Sequence, residues 1–160
     1  MTERMSSWIY LSDDSVRSFA APVNRPEDAR EPQPRRPRIL VVDDQKLIVD
    51  TIAEILKGAG FEVAVASDGW KALEMAARFH PERLLTDVLM PGMNGVELAI
   101  AVQKMYPSVK ILLFSGQAGI SEILEAGEQQ GFKFEVIPKP IHPRKLIERI
   151  LDLDKPRGPG

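Results

Sequence analysis

The sequence predicts an α/β protein built on a doubly wound, five-stranded parallel sheet, and two observations carry that prediction. From Arg38 onward, short β-branched apolar runs alternate five times with amphipathic stretches of helical period. Each strand-like run is almost continuously apolar, as strands covered on both faces are, and right-handed crossovers place a helix between neighbouring parallel strands.

The units follow one another with little between them. "RILVV" (38–42) is a strand that ends at two aspartates, and "QKLIVDTIAEILKGAG" (45–60) is a helix with Leu47, Ile48, Ile52, Ile55 and Leu56 as its apolar stripe, closed by glycines. Next come "FEVAVA" (61–66) with "GWKALEMAARF" (69–79), and "ERLLTD" (82–87) with "GVELAIAVQKMY" (95–106). The last two units are "VKILLFS" (109–115) with "ISEILEAGEQQ" (120–130), and "FKFEVIPK" (132–139) with "PRKLIERILDL" (143–153).

The rest of the chain reads differently. Residues 1–37 form a disordered, Pro-rich extension, since the stretch 20–37 holds five prolines, balanced charges and almost nothing to bury. Within it, Trp8 to Leu11 ("WIYL") is an apolar exception that reads as a mobile arm. Residues 38–153 make the domain, and residues 154–160, "DKPRGPG", are a flexible tail. With 160 residues and 44% hydrophobic content the chain has room for one core. A formal net charge of −2 lacks the basic excess expected of a nucleic-acid binder, so no direct nucleic-acid contact is expected. No run approaches the roughly 20 apolar residues that cross a bilayer. Without cysteine there are no disulfides or thiolate metal sites, and the N-terminus lacks a basic start followed by an apolar stretch, so the expected location is the cytoplasm.

In an open parallel sheet, ligands bind outside the carboxyl ends of the strands. Those ends carry Asp43 and Asp44 after the first strand, Asp87 after the third, Ser115 after the fourth and Lys139 after the fifth. Each has a plain alternative: an aspartate between strand and helix is a preferred N-cap, Ser115 can bond to nearby backbone, and Lys139 can be a solvated charge. Together they converge, and convergence is the evidence. Crowded carboxylates repel unless a counter-charge is present. An oxygen-only donor set favours a hard cation such as Mg2+, which takes one or two carboxylates, keeps waters and shares a phosphate oxygen. His80 and His142 read as surface or capping residues. A carboxylate beside such an ion can form an acyl phosphate, with Lys139 and the Ser115 hydroxyl stabilising the phosphoryl oxygens.

The stretches "VVDD", "LLTDVLMPGMNG", "LLFSG" and "PKP", in that order, make residues 38 to 153 resemble the receiver domain of response regulators in two-component signalling. The resemblance implies strand order 2-1-3-4-5 and the flavodoxin-like receiver fold. It implies that Asp87 accepts a phosphoryl group from a phosphohistidine on a sensor histidine kinase or phosphotransfer protein. It implies that Asp44, Asp87 and the main-chain carbonyl of Leu89 touch Mg2+, that Asp43 acts mostly through water, and that the Lys139–Pro140 bond is cis. The aromatic commonly found three residues before the site lysine is replaced by Val136, and the segment from Ser115 to Lys139 is slightly longer than usual. Apolar Leu89 and neutral Gln117 are poor at positioning attacking water, so the phosphate is expected not to be especially short-lived. The expected role is a stand-alone phosphoacceptor regulator, not an enzyme, that changes contacts with a downstream protein. The alternatives are a phosphorylation-independent binding module and, less favoured, a hydrolase working through an aspartyl phosphate.

Overall fold

The structure, a computed structural model, describes residues 34–155. The expectations for the Pro-rich extension up to residue 33, for the Trp8–Leu11 arm and for residues 156–160 lie outside the described residues. Within them, five strands alternate with five helices. They are β1 (Arg38–Val42), α1 (Lys46–Gly58), β2 (Glu62–Ala66), α2 (Gly69–Phe79), β3 (Arg83–Asp87), α3 (Gly95–Met105), β4 (Lys110–Ser115), α4 (Ser121–Gln129), β5 (Glu135–Pro138) and α5 (Pro143–Asp152). The sheet has the order β2-β1-β3-β4-β5, and every pairing is parallel. The doubly wound expectation is therefore met.

Alternating strand residues supply two cores. Leu40, Val42, Leu84 and Leu113 pack with Ala72 and Ala76 of α2 and Leu98 and Val102 of α3. Ile39, Val41, Leu85, Leu112 and Ile137 pack with Val49, Ile52 and Leu56 of α1 and Leu146 and Ile150 of α5. Burial on both sides explains why β1, β3 and β4 show no polar alternation. Three of the five helix starts carry a side-chain cap. Asp68 caps α2 by accepting from the Lys71 N–H, Asn94 and Glu97 form a reciprocal capping box on α3, and His142 accepts from the Arg144 N–H ahead of Pro143-led α5. His80 closes α2 in the left-handed region with φ of 54°. Both histidines thus cap helices, as the sequence indicates.

Two details differ from the sequence reading. The predicted α1 stripe holds at buried Ile52 and Leu56 and at half-buried Ile48 and Ile55, but Leu47 is 79% exposed, while Val49 and Ala53 are buried. Val49, two positions on in the same first turn, faces the core with Ile39 and Val41 in its place. The last strand is also shorter than the predicted 132–139. Phe132 donates its N–H to the Gly127 carbonyl and stacks on Phe134, so the chain first closes the end of α4 and pairs with β4 only from Glu135.

Candidate functional site

β1, β3, β4 and β5 deliver their terminal polar residues to one edge of the sheet. Carboxylate oxygens of Asp43, Asp44 and Asp87 all lie within 4.8 Å of one another. Lys139 Nζ is 2.7 Å from Asp43 Oδ2 and 3.5 Å from Asp87 Oδ2, and it stands 4.5 Å from the centre of the Phe114 ring. The Lys139–Pro140 peptide is cis, and the Lys139 N–H donates to the Ser115 carbonyl at 2.9 Å, which ties the β5 end to the β4 end. Asp43, Asp44, Asp87, Ser115 and Lys139 are therefore brought together as the sequence predicts.

The three carboxylates have different surroundings. Asp43 is fully buried, with one oxygen accepting from the Gln45 N–H at 2.9 Å and the other from Lys139. Asp44 is exposed. Asp87 is buried, and its carboxyl is raised above the usual carboxylate range, first by burial and then by the charge of Asp43, with Lys139 pulling the other way.

The loop after Asp87 explains the spacing of its glycines. Gly92 has φ of +78°, which a side chain disfavours. A Cβ on Gly95 would lie 1.9 Å from the Asp87 carbonyl oxygen, so only glycine lets α3 start so close to the strand end. The Gly95 N–H donates to the Val88 carbonyl at 2.8 Å, and the loop between them holds half-buried Leu89 at the rim. Ser115 is buried, with its Oγ accepting from the Gln117 N–H at 3.2 Å, so the hydroxyl is held by the loop that follows it.

Two contributors were not singled out in the sequence. Thr86 donates its hydroxyl to the Asp87 carbonyl at 3.0 Å from a fully buried position. Its signal was present, as the lone polar residue within the apolar run "LLT". Phe114 supplies the ring beside Lys139, but nothing in its sequence context separates it from an ordinary core aromatic.

The donor set is oxygen only at the point of convergence, which fits a hard divalent cation. Asp44 and Asp87 have the position to hold such an ion, whereas both oxygens of Asp43 already accept hydrogen bonds.

Residues 39–151 match the response regulator receiver domain family. The chain belongs to that family. Among curated relatives, this receiver chain is 36% identical over 116 residues to a response regulator receiver protein of Anaeromyxobacter sp., covering 72% of the chain and 46% of that protein. It is 32% identical over 118 residues to the DNA-binding response regulator MtrA of Mycobacterium tuberculosis, covering 72% and 49%. The chain thus spans about half the length of these curated relatives. Among solved structures, a CheY-like receiver domain from Methanospirillum hungatei is 30% identical with a TM-score of 0.68, covering 76% of this chain and 96% of that one. The chemotaxis protein CheY4 of Vibrio cholerae is 26% identical with a TM-score of 0.67, covering 74% and 99%. The receiver fold and its place in two-component signalling follow. No helix among the described residues is long and apolar enough to cross a membrane.

Proposed function

We propose that this receiver accepts a phosphoryl group on Asp87 from a phosphohistidine of a sensor kinase or phosphotransfer protein, and that the modified form changes its contacts with a downstream protein. The observation that carries the proposal is the meeting of Asp43, Asp44 and Asp87 within 4.8 Å, with Lys139 2.7 Å from one and 3.5 Å from another.

In the step itself, an Asp87 carboxylate oxygen bonds to phosphorus while the N–P bond of the donor breaks. The imidazole nitrogen leaves with that electron pair and takes a proton from solvent. Asp44, Asp87 and the carbonyl of Leu89 would hold Mg2+, which would supply positive charge against the phosphoryl oxygens. Lys139 swings from Asp43 and Asp87 toward one phosphoryl oxygen, a small movement for a side chain already at the rim. The Ser115 hydroxyl leaves the Gln117 N–H and donates to another. Because Gln117 is held by the same hydroxyl, that exchange moves the loop of residues 116–120 that leads into α4. Val136 stands in β5 where no aromatic can rotate, so the readout runs through this loop. Leu89 and Gln117 offer no charged group to an attacking water, which favours a persistent acyl phosphate.

Incubation with Mg2+ and acetyl phosphate tests the reading. Stoichiometric labelling that disappears in Asp87→Asn supports it; absence of labelling favours a phosphorylation-independent binding module, and continuous phosphate release a hydrolase. Amide exchange of residues 116–120 is expected to change on binding beryllofluoride, and identical exchange would remove the proposed readout.

A further inference from the structure

Five large apolar side chains stand out as exposed among the described residues, and they are unevenly placed. Leu47 (79%), Val65 (37%) and Trp70 (68%) belong to the first turn of α1, the end of β2 and the first turn of α2, all at the carboxyl edge of the sheet. The other two, Met105 (41%) and Leu151 (49%), lie at the far ends of α3 and α5. A tryptophan two-thirds exposed is unusual, because its large ring gains free energy by burial and is over-represented at the centres of protein interfaces.

Trp70 adjoins in sequence a residue packed against the phosphoacceptor loop. Its neighbour Gly69 receives Met93 so closely that a Cβ there would lie 2.7 Å from Met93 Sδ, and Met93 belongs to the loop that leaves Asp87. Leu47 follows Asp44 by three residues on the other side of β1. Beside the edge strand β2, between α1 and α2, runs a shallow groove of mixed charge lined by Lys46, Asp50, Val65, Lys71, Glu74 and Arg78.

We propose that Trp70, together with Leu47, is the anchor on which the phosphohistidine-bearing donor protein seats before transfer to Asp87; this rests on the phosphoacceptor reading given above. The occupant is set by geometry. Asp87 is recessed at the strand end, so a protein that brings a histidine within bonding distance covers this edge of the sheet. The phosphorylated donor is anionic and meets a rim rich in carboxylates, so contact that does not depend on charge must hold it there. Trp70 and Leu47 supply apolar area for this, while the neighbouring Lys46 and Lys71 are already paired with Asp50 and Asp68. A small donor such as acetyl phosphate reaches Asp87 without touching either residue. Trp70 is accordingly a specificity-determining residue for the protein donor and no part of the chemistry.

The test compares two donors on the full chain: acetyl phosphate, and the set of autophosphorylated sensor-kinase fragments from the genome that encodes it. Trp70→Ala is expected to lower kcat/KM for the kinase that labels the wild type by about tenfold or more, mainly through KM. Acetyl phosphate labelling should stay within about twofold, Trp70→Phe should restore most of the kinase rate, and Met105→Ala and Leu151→Ala should leave both rates unchanged. The proposal is overturned if Trp70→Ala leaves the kinase rate intact, or if it slows both donors equally. It is also overturned if acetyl phosphate labels the wild type and no kinase does. Failure of both donors on the wild type instead removes the phosphoacceptor reading itself, and the docking surface with it.

Discussion

Asp87 concentrates the conflicting demands on single residues. Its carboxyl is raised above the ordinary range, chiefly by burial. A folded state that holds the proton more tightly than the unfolded chain is favoured at low pH, and this contribution is lost as pH rises through the raised folded value. Asp87→Asn removes that loss, so it should stabilise the metal-free protein at neutral pH relative to the wild type while abolishing labelling. Urea titrations of both forms from pH 4 to pH 8 check this, and parallel curves would contradict it. Lys139 works in the opposite sense. It is the cation beside fully buried Asp43, so Lys139→Met leaves that carboxylate unneutralised and should cost about 3 kcal/mol, measured by chemical denaturation. At this scale the identities of Asp43, Asp44, Asp87, Ser115 and Lys139 were legible in the sequence because polar residues that end apolar strands stand out. Thr86 carried a signal that was passed over, whereas Phe114 was not legible, since a core aromatic acquires a role only from what lies across from it.

Among the elements, α3 is the one most tightly bound to the chemistry. It starts where the Gly95 Cα faces the Asp87 carbonyl, and any side chain there pushes the helix away from the strand end. Gly95→Ala should therefore destabilise the fold by about 3 kcal/mol and slow labelling, whereas Asn94→Ala, which removes only the cap, should cost about 1 kcal/mol and leave the labelling rate nearly unchanged. Thermal melts and acetyl phosphate kinetics on the pair separate the two effects. α4 contrasts with it: Gly127 is its one buried residue and no side chain caps its start at Ile120, so it is the helix least held by its own contacts. The order and kind of all ten elements could be read from periodicity. Which residue of the first turn of α1 is buried could not, because Leu47 and Val49 are equally apolar and only packing against the sheet decides between them.

Over the whole molecule, the two ends of the sheet have separate tasks. The carboxyl edge gathers the acidic site, while the opposite edge is closed by buried Arg83 at the start of β3, which pairs with Asp154 just beyond α5 and lies 5.5 Å over the Phe61 ring. Asp154, assigned to the tail on sequence grounds, takes part in this closure. Asp154→Ala leaves a buried guanidinium without its carboxylate and should lower stability by about 2 kcal/mol without altering labelling. Mg2+ acts from the other edge. At a hundredfold excess over its dissociation constant it should add about 2.7 kcal/mol to the unfolding free energy of the wild type and much less to that of Asp44→Asn. A calorimetric Tm that ignores Mg2+ in the wild type would contradict the assigned ligands.

By itself the sequence determined the alternation of buried strands and amphipathic helices, and hence a parallel sheet with its polar residues at one edge, because periodicity and strand-end chemistry are local properties of the chain. Tertiary structure alone decided that Asp43 is buried against Lys139 while Asp44 faces solvent, that Gly95 must be glycine, and that Leu47 and Trp70 are left uncovered. Those outcomes depend on distances between segments up to 96 residues apart, and no local pattern encodes which of two adjacent aspartates the lysine will reach.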